Sequence, residues 1–151
     1  NFSVGNNSWK LLWTAAFHPA SHFLGTTDNH TLRFRVNHAW DGEIHPTSGN
    51  FFFGLNTGNA TTSGTKNTAT GEHSLFANSS GSSNTANGYY ALSSNTSGPD
   101  NTANGYYTLF SNTIGNNNTA AGDSSLISNI TGFSNVGVGI NALYLNTTGS
   151  N

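Results

Sequence analysis

The sequence predicts an all-β fold, a parallel β-solenoid of 17-residue coils. Three observations carry that prediction. The string Asn67-Thr-Ala-Thr-Gly returns as Asn84-Thr-Ala-Asn-Gly, Asn101-Thr-Ala-Asn-Gly and Asn118-Thr-Ala-Ala-Gly, each 17 residues after the last. Self-similarity at a fixed period is the mark of stacked repeats. Two glycines recur at fixed offsets in every unit, and the load of Asn, Thr, Ser and Gly is wrong for helices throughout. A degenerate copy begins at Asn50 and a more apolar one at Asn135. Residues 50–151 therefore hold six units, and residues 1–49 stand apart.

The first 49 residues have a different texture. Trp9, Trp13, Phe17, Phe23, Phe34 and Trp40 supply most of their large apolar mass, and all three tryptophans of the chain lie here. Leu32, Phe34 and Val36 alternate with Thr31, Arg33, Arg35 and Asn37, the period of a half-buried strand. The Gly25–Asn29 cluster before it and the Asp41-Gly42 pair after it read as turns. A small N-terminal β cap fits, because the first coil of a solenoid otherwise exposes its edge and its core. His18 and His22 have a helical i, i+4 spacing, but Pro19 lies between them and proline is tolerated only in a helix's first turn. No metal site is expected there. Arg33 and Arg35 read as a solvated strand face or a subunit contact.

Within the repeats, count each leading Asn as position 0. One glycine falls at +4 (Gly54, Gly71, Gly88, Gly105, Gly122, Gly139) and a second at +14 (Gly64, Gly81, Gly98, Gly115, Gly132, Gly149). Two glycines mark two corners where the backbone needs positive φ or has no room for a Cβ. Two corners leave two short strands per coil. Leucine holds +8 from the second unit onward (Leu75, Leu92, Leu109, Leu126, Leu143), Asn holds +11, and Ala holds +2 until Gly137 replaces it. Stacking such coils predicts an inward leucine column and ladders of Asn bonding to backbone at the turns. One leucine and one alanine per coil is little apolar area to set against the entropy of ordering 17 residues. Association with copies of itself is therefore expected, as a homotrimer or an end-to-end filament.

Composition excludes several functions. Only 7% of residues are charged, the formal net charge is −2, and no Lys or Arg follows Lys66, so the repeats offer no basic patch for nucleic acid. Cysteine is absent, which removes disulfides, thiolate nucleophiles and cysteine metal sites. No run of 18 apolar residues occurs, so no membrane-spanning helix is expected. The chain starts at Asn1 with no signal-peptide pattern, which reads as a processed product or a part of something longer. Its few carboxylates are isolated, and no nucleophile, base and orienting group come together in sequence. A non-enzymatic protein without a cofactor is expected.

The unit Asn-Thr-Ala-x-Gly-x-x-Ala-Leu-x-x-Asn-Thr-x-Gly, clearest at Asn84–Gly98 and Asn101–Gly115, resembles the head repeats of trimeric autotransporter adhesins (the YadA-like head). It is also similar to repeats of bacterial secreted surface proteins and phage tail fibres. Phe23-Leu-Gly-Thr-Thr-Asp-Asn29, through Arg33 and Asn37, resembles a segment that precedes such repeats. The resemblance implies a left-handed parallel β-roll and three chains around one axis. It also implies exposure on a cell surface or virion tail, and an adhesive or shaft role with no catalytic residues. The unit here is longer than the usual head coil, and no anchor, stalk or coiled coil accompanies it.

Two outward features are candidates for contact. Tyr89 and Tyr90 at +5 and +6 are repeated one coil later by Tyr106 and Tyr107. They are expected to stack as an aromatic ladder, one ring of each pair inward or interfacial and the other outward, and they are the candidate surface for a host-surface protein or glycan. Thr68, Thr85, Thr102 and Thr119 form a file at +1, which raises an ice-binding alternative.

Overall fold

The computed structural model describes residues 29–36, 39–61 and 63–150. Trp9, Trp13, Phe17, Phe23, the His18/His22 pair and most of the Gly25–Asn29 turn lie outside the described residues. Within them the chain is all-β, with no helix and one eight-stranded sheet in sequential order. Its strands are β1 (Leu32–Val36), β2 (Ala39–His45), β3 (Asn50–Phe53), β4 (Thr68–Thr70), β5 (Thr85–Asn87), β6 (Thr102–Asn104), β7 (Thr119–Ala121) and β8 (Val136–Val138). The pairs β1–β2 and β2–β3 are antiparallel, and every pair from β3 to β8 is parallel. Register is strict: Ala69, Ala86, Ala103, Ala120 and Gly137 are successive partners. The parallel part is a β-solenoid of about five turns, in which each turn brings the chain back one strand further along.

Each coil contains one short strand, of four residues in β3 and three in β4 to β8, not the two that its glycines suggested. The remainder of the coil bends through left-handed residues. Position +6 has positive φ in every unit (Asn56, His73, Tyr90, Tyr107, Ser124, Asn141), +8 in each leucine, and +16 at Lys66, Ser83, Asp100, Asn117 and Ser134. Such turns cannot run as strands, yet they still stack. Leu75 N–H donates to the Ala91 carbonyl at 2.9 Å, Leu92 to Thr108 at 2.9 Å, Leu109 to Ser125 at 3.0 Å and Leu126 to Ala142 at 2.8 Å. Coil-to-coil hydrogen bonding therefore continues around the irregular side.

A non-glycine residue in this region costs about 1–2 kcal/mol, and glycine's extra unfolded-state freedom offsets about 0.5–1 kcal/mol of any relief. Gly49, one period before Lys66, already occupies the region at φ 67°. Ser83 is exposed, and its N–H bond to the Thr65 carbonyl does not involve the side chain. Ser83→Gly should therefore stabilise the roll by about 0.5–1 kcal/mol, read as a higher urea midpoint.

The core matches the expected columns. Leu75, Leu92, Leu109 and Leu126 are fully buried, as are Ala69, Ala86, Ala103 and Ala120. Leu143, on the last coil, is 47% exposed. Within one chain the leucine column is thus closed from Leu75 to Leu126. The first coil reaches the same filling by an exchange. Gly58 stands at +8 with φ 61°, and Phe52 stands at +2. A Cβ on Gly58 would meet the Phe52 ring at 2.5 Å. One large residue at +2 takes the space that alanine and leucine share elsewhere.

Asp41-Gly42 is not a turn but an interior part of β2. Phe34 pairs with Gly42 and Arg35 with Trp40, leaving Asp41 as the extra residue of a bulge. The Asp41 carboxylate accepts a hydrogen bond from the Val36 N–H, and its carbonyl accepts from Gly54 N–H at 2.7 Å. Gly42 is required by space, since a Cβ would sit 2.3 Å from the Phe52 carbonyl oxygen. The chain reverses instead at residues 46–49, where Gly49 N–H donates to the His45 carbonyl at 3.0 Å. Across β1 and β2, Arg33 Nε lies 3.5 Å from Glu43 Oε2.

Candidate functional site

The two glycine files hold the coils together for different reasons. At +4, all six glycines have φ between 112° and 142°, a region open to glycine almost alone. At +14, none of the glycines is among the positive-φ residues; here the reason is space. A Cβ on Gly98 would lie 2.1 Å from the Gly115 carbonyl oxygen, and one on Gly81 2.6 Å from that of Gly98.

That close approach lets two buried amide ladders converge. At position 0, the Asn67 side-chain oxygen accepts from Asn84 N–H at 2.9 Å, Asn84 from Asn101 at 2.9 Å, and Asn101 from Asn118 at 3.1 Å. The same side chains donate through Nδ2 to the +14 carbonyl of their own coil, as Asn84 does to Gly98 at 2.9 Å. At +11, Asn95 donates to Asn78 Oδ1 at 2.9 Å and Asn112 to Asn95 at 3.0 Å. The +11 amides also reach the +14 carbonyls, Asn95 to Gly98 at 2.9 Å. A buried amide with each donor and acceptor engaged specifies register strongly, because any slip leaves polar groups unpaired.

On this scaffold the outward positions carry the candidate contact surface. Tyr89 stacks on Tyr106 with centroids 5.5 Å apart and planes 10° apart. Tyr90 stacks on Tyr107 at 5.3 Å and 7°. Within each coil the neighbouring rings meet at 4.6 Å, tilted by 67° and 59°. The four tyrosines therefore form a two-by-two block. Neither file points into the core: Tyr89 and Tyr106 are 39% and 52% exposed, while Tyr90 and Tyr107 are half-buried. Stacking covers one face of each ring, and the ring edges and hydroxyl tips lie outside the stack.

Three further rings belong to the block. His73 stacks on Tyr90 at 4.7 Å and 9°, Phe76 lies 5.1 Å from His73, and Phe110 lies 5.0 Å from Tyr107. The sequence held the signal for them, since His73 shares +6 with the inner tyrosines and both phenylalanines stand at +9. Glu72 and Asp123 bracket the outer file, each at +5. Desolvation among these rings, with Tyr90 and Glu72 close by, pushes the Tyr89 phenol above its ordinary value. It stays protonated throughout the neutral range.

The threonine file at +1 faces outward beside a +3 file of Phe53, Thr70, Asn87, Asn104, Ala121 and Val138. Thr70 donates to Asn87 Oδ1 at 2.8 Å and Asn87 to Asn104 Oδ1 at 2.9 Å. Among the described residues no group of three or more His, Cys, Asp or Glu could hold a metal ion, and no helix is long and apolar enough to cross a membrane.

Coil geometry, amide ladders and a variable exterior define a β-solenoid repeat protein. No protein-family model, curated protein or solved structure matches the chain.

Proposed function

We propose that the chain is a structural and adhesive segment of an extracellular fibre, of the bacterial adhesin or phage tail-fibre kind. Three copies pack about one axis as a left-handed β-roll, and the protein catalyses nothing. The observation that carries this reading is the division between fixed and variable positions. Inward sites repeat one chemistry coil after coil, whereas +5 runs Glu72, Tyr89, Tyr106, Asp123, Ile140. A rod with a constant interior and a changing exterior is built to display side chains at set spacing. The β1–β2 hairpin serves as the N-terminal cap, since β2 pairs along β3 and covers that edge. Ile114 and Ile130, adjacent through a 3.4 Å backbone hydrogen bond and both exposed, supply apolar area for the copies to share.

The tyrosine block is the contact surface for a host-surface protein or glycan. Sedimentation at micromolar concentration should return three chains; a monomer ends the trimeric assignment. Replacing Tyr89 and Tyr106 together by alanine should weaken attachment to host cells at least about tenfold. Unchanged attachment by a folded double variant removes the tyrosines from the contact.

A second reading, an end-to-end filament, draws on the parallel ladder itself. Strands β3 to β8 pair in one unbroken register, coil on coil, and an apolar strand such as Val136–Val138 templates further pairing. Filaments that vanish in Val138→Lys would favour it. The ice-binding alternative has less support, because the file beside the threonines is mostly not threonine and its amides bond to one another. Thermal hysteresis would revive it.

A further inference from the structure

We propose that Tyr89 and Tyr106 are an oxidative cross-linking site that welds the third coil to the fourth. In a tyrosyl radical the unpaired spin lies in the π system, so the ortho carbons react along the normal to the ring. Two rings stacked at 5.5 Å and 10° aim those orbitals at each other, which edge-on neighbours do not. These two rings are also the more exposed members of the block, so a one-electron oxidant reaches them first. The chain contains no cysteine or methionine to take up oxidising equivalents. The phenol of Tyr89 is protonated at neutral pH, so its proton leaves with its electron.

The step balances with hydrogen peroxide acting through a haem peroxidase. Each phenol gives up one electron and its hydroxyl proton, and the two radicals join through an ortho carbon–ortho carbon bond. Each ortho hydrogen then moves to a phenolic oxygen, restoring both aromatic rings. The chain loses two hydrogens in all, and one hydrogen peroxide is reduced to two waters. The coupling is independent of what the fibre binds.

Treatment of the whole chain with peroxidase and hydrogen peroxide, followed by cleavage before aspartate, tests this. Asp41, Asp100 and Asp123 divide the tyrosines so that Tyr89 and Tyr90 fall in peptide 41–99 and Tyr106 and Tyr107 in peptide 100–122. The expected product is these two peptides joined, lighter by two hydrogens, from a chain that stays unlinked to other chains, with the blue fluorescence of dityrosine. Tyr106→Phe keeps the ring stack and should lose the linked pair; Tyr107→Phe and Tyr144→Phe should keep it. Oxidation in urea should abolish it. The proposal is overturned by a linked pair that survives Tyr106→Phe or urea, or by coupling found only within one peptide or between chains.

Discussion

Gly88→Val should abolish the cooperative unfolding transition of the roll. Gly88 sits at φ +136°, and a Cβ there would lie 2.3 Å from the Gly105 carbonyl oxygen and 2.7 Å from its carbon. Both obstacles are backbone, held in place by the Gly105 N–H to Asn87 carbonyl bond at 2.8 Å. No rotamer change relieves them. The β-branched side chain adds its own exclusion from this part of φ/ψ space. The loss should exceed about 4–5 kcal/mol, the range reserved for steric conflict inside a packed structure. Gly139→Val separates the two causes, because Gly139 has φ +117° but nothing within 4 Å of its virtual Cβ. That variant carries only the conformational strain, about 1–3 kcal/mol. Thermal unfolding followed by circular dichroism measures both. Equal effects at the two sites would show that φ alone, not the close approach of coils, makes these glycines necessary.

The period carried most of the fold because a solenoid turns sequence distance into spatial stacking. Residues 17 apart sit one above another, so the leucine column, both Asn ladders and the tyrosine block could be read directly from recurrence. What recurrence does not reveal is the path between corners. Leu75, Leu92, Leu109 and Leu126 looked like strand residues but lie in left-handed turns; tertiary packing and inter-coil hydrogen bonds override the local preference of leucine. Glycine spacing also hid two mechanisms under one pattern, since +4 is a conformational requirement and +14 a spatial one. Asp41-Gly42 has the composition of a hairpin turn, yet its role depends on the Phe52 backbone that arrives beside it, ten residues on. The Phe52–Gly58 exchange escaped because each position alone looks like a degenerate repeat. Only their summed volume fits.

The candidate surface divides in the same way. That the tyrosines stack follows from their spacing, but which ring is exposed does not. Positions +5 and +6 lie at a bend, where the alternation of a strand fails. His73 joins the block by sharing +6 with Tyr90 and Tyr107, whereas Phe76 and Phe110 join it because +9 returns beside +6 around that bend.

Asn101→Leu should destabilise the roll more than Asn112→Leu, although both remove a buried amide from a continuous ladder. Asn101 Oδ1 accepts from the Asn118 backbone N–H at 3.1 Å and from Asn118 Nδ2 at 3.1 Å, and its own Nδ2 donates to Gly115 at 2.8 Å. Leucine of similar volume leaves the backbone N–H of Asn118 buried with no acceptor. An orphaned buried donor costs about 1–3 kcal/mol beyond the lost bonds, giving about 3–5 kcal/mol in total. Asn112 bonds differently: its oxygen accepts from Asn129 Nδ2 at 2.9 Å, and its Nδ2 donates to Asn95 and Gly115, each at 3.0 Å. Losing it frees side-chain amides that still reach the +14 carbonyls, and Gly115 keeps the bond from Asn101. About 2 kcal/mol is expected there. Urea midpoints of the two variants, with unchanged dependence on denaturant, would record the difference. A reversed order would mean that the +11 ladder, not the position 0 ladder, sets the register of the coils. The asymmetry follows from which column also carries the backbone: position 0 stands immediately before each of β4 to β8, so its amides tie the N–H at the entry to one strand to the coil before it.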